Sequence, residues 1–228
     1  MRALGVDPVA CTRFCEQPDL PAVGGTKNPD VDAIVALAPD LVIVNDEENR
    51  VEDADALTAA GLRLHSMSPR GVADVGPAVV ALGDAIGADV PASLVSPQWD
   101  RWLDEQRAAA PSARRRSAVL VWRRPWMTTN ADTYGSSLLD LLGVDNVFAE
   151  ADERYPEVTL EEIVARGADL VLLPDEPYAF RDRHVREVAA AVGDADAEVR
   201  LVDGRDLFWW GVRTPAAVSR LRDALRRP

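Results

Sequence analysis

The chain has 228 residues, a formal net charge of -13 and 47% hydrophobic residues, enough for one large domain or two small ones with their own cores. So acidic a surface argues against nucleic acid, whose phosphates need basic partners, and against an anionic membrane surface. No apolar run approaches the roughly 18 residues of a bilayer span, and Met1–Ala10 lack the charged-then-apolar pattern of a secretory signal, so the chain as it stands reads as soluble and cytoplasmic.

Taken in order, Val9–Thr12 reads as a short strand followed by Phe14. Cys11 and Cys15 are too few for a disulfide framework. They read as ordinary small residues near a strand end, with a bridge open to them only if local geometry allows. Asn28 and Pro29 make a helix start, with Pro at the first helical position, and Ile34, Val35 and Leu37 follow on that helix. Leu41–Val44 is a continuous aliphatic run, the mark of a buried parallel strand. A helix is expected over Glu52–Ala60 and a strand over Leu62–His65.

Val72, Val75, Val79, Leu82 and Ile86 keep near-helical spacing. Pro91 and Pro97 punctuate the segment after them, and Ser96 is expected to cap a helix from Pro97 to about Ala110. That helix, roughly 20 Å long at 1.5 Å per residue, reads as a stiff spine, with Trp99 and Trp102 as core. Arg114–Arg116 read as a solvated end before a strand at Ala118–Trp122. A helix over Tyr134–Leu142 comes next, then a capping box at Thr159 and Glu162 ahead of the buried strand Leu170–Leu173. His184–Val192 reads as a helix, Ala190–Asp196 as a solvated turn and Val199–Val202 as a strand. Helices alternating with strands imply parallel sheets.

An internal repeat organises these elements. Ile34–Glu47 (IVALAPDLVIVNDE) and Ile163–Glu176 (IVARGADLVLLPDE) are identical at eight of fourteen positions, at an offset of 129. Upstream, Leu4–Val9 (LGVDPV) echoes Leu142–Val147 (LGVDNV). Two copies suggest two similar lobes. The expected divisions are an N-terminal lobe at 1–70, a helical connector at 71–116, a C-terminal lobe at 117–213 and a final helix at 214–228. Against the second copy, the first lacks a strand, its loop and most of a helix, about 20 residues. This predicts a start upstream of Met1, where an export signal would make the protein extracytoplasmic.

Parallel sheets bind ligands beyond the carboxyl ends of their strands. Asn45 follows the first aliphatic run. Arg123, Arg124, Pro125 and Trp126 follow Ala118–Trp122, and Glu176, Tyr178 and Phe180 follow Leu170–Leu173. Phe208, Trp209, Trp210 and Arg213 cluster before the last helix. Aromatic faces with a few polar groups suit large flat macrocycles. Trp122, at a strand end, fits site or core. Trp209 and Trp210 are adjacent in an extended segment and point opposite ways, so only one can face a ligand.

Four stretches, VGGTKNPDVDAIVALAPDLVIVNDEEN, VWRRPWMTTNADTYGSSLLDLLGVDNVFAE, RYPEVTLEEIVARGADLVLLPDEPYAF and LFWWGVRTPAA, together resemble the class III periplasmic-binding-protein superfamily, the helical-backbone metal receptors. The resemblance implies two Rossmann-like α/β lobes with parallel sheets, bridged by a long backbone helix, with a cleft at the lobe interface and little hinge closure. It implies a corrinoid, another tetrapyrrole such as haem, or a ferric siderophore as ligand, an ABC transporter permease as partner, and a monomer. Cobalamin-binding members line their cleft at positions matching Phe14, Asn45, Trp122, Tyr155 and Trp209–Arg213. Asn45 and Thr26 stand where rings are expected, which leaves open another tetrapyrrole or a chelate with polar edges. Asp32 and Glu161, equivalent in the two repeats, match acids that dock onto the transporter in exported relatives; acids in a first helical turn also simply favour the helix dipole.

Only His65 and His184 are present. No His-x-x-x-His, Cys-x-x-Cys, Gly-x-Ser-x-Gly or Walker pattern appears, so no catalytic residue, intrinsic cofactor or metal ligand is assigned. His184 reads as a surface helix residue, with an axial metal-ligand role as the lesser alternative. The expectation is a non-enzymatic solute-binding protein with Phe14, Asn45, Trp122, Trp126, Tyr155, Tyr178, Trp209, Trp210 and Arg213 as ligand contacts. The alternatives are a cytosolic sensor, chaperone or accessory enzyme of tetrapyrrole or metal metabolism, or a two-lobed interaction scaffold without a ligand.

Overall fold

Both aliphatic runs of the repeat form parallel strands, but the helices that feed them begin differently. In the computed structural model, which describes residues 1–193 and 197–226, the contacts divide the chain into two units. The first comprises Met1–Ser68 and Gly76–Val95, the second Pro69–Val75 and Ser96 onward.

In the first unit, helix α1 spans Val31–Leu37, capped by Asp30, whose side chain accepts from the Ala33 N–H at 3.0 Å. The carboxylate cap wins over Pro29, which instead makes an isolated bridge with Gly24, so the helix starts later than the Asn-Pro pair predicts. Strand β1 (Val42–Val44), helix α2 (Val51–Ala59) and strand β2 (Leu64–Ser66) follow, and β1 pairs parallel with β2. Val9–Thr12 does not form a strand; Cys11 alone makes a single parallel bridge with Ala22.

Helix α3 (Val72–Ile86) carries the spaced valines. Its 15 residues extend about 22 Å. Val72–Val75 belong to the second unit and Gly76 onward to the first, so α3 is the helix that passes from one to the other. The segment expected to be the spine forms α4 (Gln98–Ala108), which belongs wholly to the second unit. Its tryptophans explain the difference. Trp99 is fully buried, its indole N–H donates to the Ala73 carbonyl at 3.3 Å, and its ring stacks on Trp102 at 4.6 Å.

The remaining elements are β3 (Arg115–Val119), β4 (Trp126–Met127), α5 (Tyr134–Leu141), β5 (Val144–Asn146), β6 (Glu157–Val158), α6 (Leu160–Ala165), β7 (Leu170–Pro174), α7 (Asp182–Val192), β8 (Glu198–Val202), α8 (Gly204–Phe208) and α9 (Thr214–Leu225). Strands β5-β3-β7-β8, in that order, form a fully parallel sheet, while β4 and β6 pair antiparallel. Every side chain of Leu170–Leu173 is sealed from solvent, as a strand covered on both faces requires. The α6 cap is the predicted box: the Thr159 hydroxyl accepts from the Glu162 N–H at 3.1 Å and the Glu162 carboxylate from the Thr159 N–H at 2.7 Å.

Arg115 and the segment from Ala190 depart from expectation in this unit. Arg115 is not a solvated end but the buried first residue of β3, bonded to Asp169 at 3.0 Å and Glu198 at 2.9 Å. Asp169 immediately precedes the adjacent strand β7 and Glu198 opens β8 beyond it, and that geometry draws the guanidinium in. Ala190–Val192 continue α7 instead of turning; the rest of the expected turn, Asp194–Asp196, lies outside the described residues.

The repeat makes one stability comparison direct. Ala38 and Gly167 hold the same repeat position after α1 and α6, and both are left-handed, with φ 44° and 70°. Glycine adopts that conformation freely and alanine does not. Ala38→Gly is therefore expected to raise the first unit's stability by about 0.5–1 kcal/mol, read as a higher urea midpoint; an unchanged or lower midpoint would show that the strain is relieved elsewhere.

Candidate functional site

In the four-stranded sheet the chain runs from β3 outward to β5, then crosses back over β3 to β7. The crevice of a doubly wound sheet forms at such a reversal, beyond the carboxyl ends of the two strands it separates. Here those are β3 and β7, and the segments leaving them carry Trp122 and Tyr178.

These rings meet edge to face at 5.5 Å. Tyr178 packs on Phe180 at 4.7 Å, and Phe180 stacks parallel to Trp126 at 6.2 Å. Trp126 and Tyr178 are partly buried against the main core, whereas Trp122 keeps 44% of its surface exposed. A tight hairpin sets Trp122: Val121 N–H donates to Met127 O at 2.9 Å and Met127 N–H to Trp122 O at 3.2 Å. Arg124, between them, sits in the left-handed region at φ 69°, a conformation that costs energy outside glycine.

Charge surrounds this cluster. The Arg123 guanidinium lies 5.5 Å from the centre of the Trp126 ring and donates to Glu187 through Nε at 3.1 Å and NH2 at 2.6 Å. The hydrogen bond from Arg123 holds the Glu187 carboxyl below its ordinary range. His184 is not on the surface: it is 2% exposed, edge-on to Tyr178 and Phe180 at 5.5 Å each. Its Nδ1 accepts from the Arg181 N–H at 3.0 Å, and Arg183 Nε stands 3.1 Å from Nε2. Burial first, then the neighbouring guanidinium of Arg183, pushes its pKa down. Sequence reasoning misses this burial, because a single His on a helix carries no periodic signal of its own.

A second group follows β8. Gly204 lies where a Cβ would come within 2.7 Å of the Glu176 nitrogen, so only glycine permits this approach. Burial pushes the Glu176 carboxyl up, opposed by a hydrogen bond from Trp209, whose only side-chain donor is its indole N–H. Arg213 lies 5.4 Å from the Trp209 ring centre and donates to buried Asp206 at 3.1 Å. Arg220 binds the same carboxylate at 2.6 and 2.7 Å and, with Arg213, holds it below the usual carboxylate range. Arg213 is thus engaged with Asp206. Trp210 is partly buried, and Tyr155, in the loop before β6, is 37% exposed.

On the first unit, Phe14 is 58% exposed beneath the Arg13 guanidinium at 5.1 Å. Asn45 and Thr26, at the two positions where rings are expected, build a polar loop. Asn45 Oδ1 accepts from the Glu47 N–H at 2.9 Å, Asn45 N–H donates to Asn49 Oδ1 at 2.8 Å, and Asn49 Nδ2 donates to Thr26 O at 2.9 Å.

Asp32 and Glu161 are both exposed in the first turns of α1 and α6. Glu161 lines, with Glu157, Glu162, Trp126, Val158 and Leu160, an open recess of about 620 Å³. Among the described residues no helix is long and apolar enough to cross a membrane, and no group of three or more His, Cys, Asp or Glu is placed to hold a metal ion.

Fold and site together define a two-unit α/β protein with an aromatic rim at the switch point of its larger parallel sheet. The sequence matches the periplasmic binding protein family over residues 5–191, and the chain belongs to that family. It is 23% identical over 175 residues to the vitamin B12-binding protein of Yersinia pestis (strain Pestoides F), a match covering 75% of this chain and 62% of that protein. The chain therefore spans under two thirds of the length of that relative. Among solved structures, the periplasmic heme-binding protein HutB of Vibrio cholerae superposes with a TM-score of 0.79 at 17% identity, over 99% of this chain and 94% of its own. The periplasmic heme-binding protein BhuT, in complex with two hemes, gives 0.78 at 23%, over 96% and 90%. These likenesses establish the fold.

The buried imidazole carries a pH signature. Its folded-state pKa lies below the unfolded value near 6.5, so the unfolded chain takes up more protons as pH falls. His184's stabilising contribution is complete above about 6.5 and is lost as pH drops below it. Urea unfolding at pH 7.5 and 5 should show this loss in the wild type and a smaller one in His184→Gln; equal losses would place the acid sensitivity elsewhere.

Proposed function

We propose that this chain is a solute-binding protein whose ligand is a flat, metal-containing tetrapyrrole, a corrinoid or haem, lying against the Trp122–Tyr178 surface. One observation carries the reading: Trp122 is edge-on to Tyr178 at the sheet's switch point with 44% of its surface exposed. The names of the relatives, vitamin B12-binding and heme-binding, support the ligand class. Trp126 and Phe180 support the outer rings from below, and Trp209, held by Glu176, offers a second aromatic surface on the same unit. Phe14 and Asn45 are the first unit's candidates for ligand contact, and Tyr155 and Trp210 stay as peripheral ones. Arg213 serves through Trp209, which it covers, while its charge is engaged by Asp206. Binding is reversible and makes no covalent bond.

Titration with cyanocobalamin, haemin and a ferric hydroxamate, followed by tryptophan fluorescence and visible absorbance, tests the proposal. Cyanocobalamin or haemin should bind, and Trp122→Ala should weaken that binding at least about tenfold, or 1.4 kcal/mol, with an unchanged circular dichroism spectrum. Binding of the hydroxamate alone, or equal affinity in the variant, would overturn it.

We further propose that the protein works outside the cytoplasm with an ABC-type permease, presenting Asp32 and Glu161 to basic residues of that partner. The equivalent positions and exposure of the two acids, one in each copy of the repeat, support this. In vesicles carrying the cognate importer, Asp32→Lys with Glu161→Lys should leave ligand affinity unchanged and reduce uptake more than about tenfold, given the cost of like-charge contacts. Undiminished uptake would remove the docking role.

A further inference from the structure

The two segments that build the aromatic rim, Trp122–Trp126 and Tyr178–Glu187, carry five arginines against two acids, in a chain whose formal net charge is -13. Part of that positive charge is spent inside the protein. Arg123 is committed to Glu187 through Nε and NH2 and lies over the Trp126 ring. Arg183 donates to His184 Nε2 at 3.1 Å. Arg124 is different: it is exposed and, among the described residues, makes no hydrogen bond, ion pair or ring contact. Its field reaches Glu187, but Arg123 already occupies that carboxylate.

The backbone singles out the same residue. Arg124 has a φ of 69°, in the left-handed region where glycine is at ease and a residue with a Cβ is strained. A turn that needed only this φ would be better served by glycine, so a long cation held there points to a use for its charge. The hairpin closed by Val121 N–H to Met127 O and Met127 N–H to Trp122 O fixes Arg124 two residues from Trp122. Two residues span at most about 7 Å, so a guanidinium on its three-methylene stem can reach the edge of a flat ligand lying on the exposed Trp122 ring. A free guanidinium offers a planar fork of N–H donors that fits a carboxylate through two parallel hydrogen bonds. Haem carries two carboxylates on one edge, whereas the edge of a corrinoid carries neutral amides, which gain less from a cation. We propose that Arg124 is a specificity-determining residue that pairs with a carboxylate on the ligand's edge, so that the chain selects an acid-bearing tetrapyrrole such as haem over a corrinoid. This rests on the reading of Trp122 as the surface on which the ligand lies.

The test titrates the full chain with haemin, haemin dimethyl ester and cyanocobalamin in one detergent-containing buffer and follows visible absorbance. Haemin should bind at least about tenfold more tightly than the ester or cyanocobalamin. Arg124→Gln should abolish that preference, weakening haemin about tenfold while the ester keeps its affinity, and Arg124→Lys should recover part of it. Arg124→Gly should lose the preference too, yet raise the thermal midpoint as the left-handed strain is relieved. An arginine with a purely structural role would move the midpoint and leave the preference intact. Equal binding of haemin and its ester by the wild type, or an Arg124→Gln variant that weakens both or neither, would overturn the proposal. Tight binding of cyanocobalamin without haemin would also overturn it, while leaving the Trp122 surface standing. Tetrapyrrole binding that is indifferent to Trp122→Ala, or absent altogether, removes instead the reading beneath it.

Discussion

Leu170–Leu173 are buried on both faces of β7, so the rest of the sheet packs around this strand. Each fully buried leucine contributes about 1.5–3 kcal/mol, so the strand fixes its neighbours as firmly as they fix it. Arg115 then clamps the amino ends, binding Asp169 before β7 and Glu198 at the start of β8. Burial alone would raise the Glu198 carboxyl, yet hydrogen bonds from Arg200 and Arg115 hold it below its ordinary value. With one end locked, the carboxyl ends of β3 and β7 are set side by side. Trp122 and Tyr178 meet there because the strands before them cannot slide.

The same constraint explains how polar groups near the rim are used. Gly204 brings its N–H within 2.7 Å of Asp175 Oδ1 directly after β7, which places α8 against the strand end and brings Trp209 to Glu176. Asp206, buried in α8, needs cations, and Arg213 and Arg220 supply them. Beyond β3, Thr128 donates to Val119 O at 2.6 Å, and Asn146 Nδ2 bonds Thr129 O at 2.6 Å and Ser136 Oγ at 3.1 Å. The loops that carry the aromatics are thereby fixed by satisfied buried groups, as a low-dielectric interior demands.

Local features of this fold were legible in the sequence, and long-range ones were not. The second aliphatic run and the Thr159–Glu162 box each depend on residues close in the chain, and each stands where expected; the first run also forms a parallel strand, but Ile43 in it is 38% exposed instead of buried. Strand order does not: nothing in Arg115–Val119 announces that β3 lies between β5 and β7. Helix α1 starts later than the Asn-Pro pair predicts because the Asp30 carboxylate accepts from the Ala33 N–H, a contact the Asn-Pro pattern does not reveal. Trp99 drew α4 into the second unit because indole burial outweighs helix length, leaving α3 to pass between the units. At the site, Trp126 and Tyr178 followed from the strand-end rule, whereas the burial of His184 and the pairing of Glu187 with Arg123 needed the fold. The pairing of Arg213 with Asp206 needed the fold as well, because nothing in the sequence marks Asp206 as buried.

Trp99 and Trp122 show how the same side chain is treated in core and rim. Trp99 is sealed, stacked and hydrogen-bonded, the arrangement that recovers its full apolar area. Trp122 has aromatic neighbours too, yet 44% of it stays exposed. At 150–250 Å² per aromatic side chain and about 25 cal/mol per Å², that exposure forgoes roughly 2 kcal/mol. The hairpin holding Trp122 also includes Arg124 in a left-handed conformation, a further cost. A surface turn serving stability alone would gain from a smaller, polar residue at this position. A flat apolar face laid against the ring would recover the forgone energy, and the switch point of a doubly wound sheet is where a ligand with such a face is met.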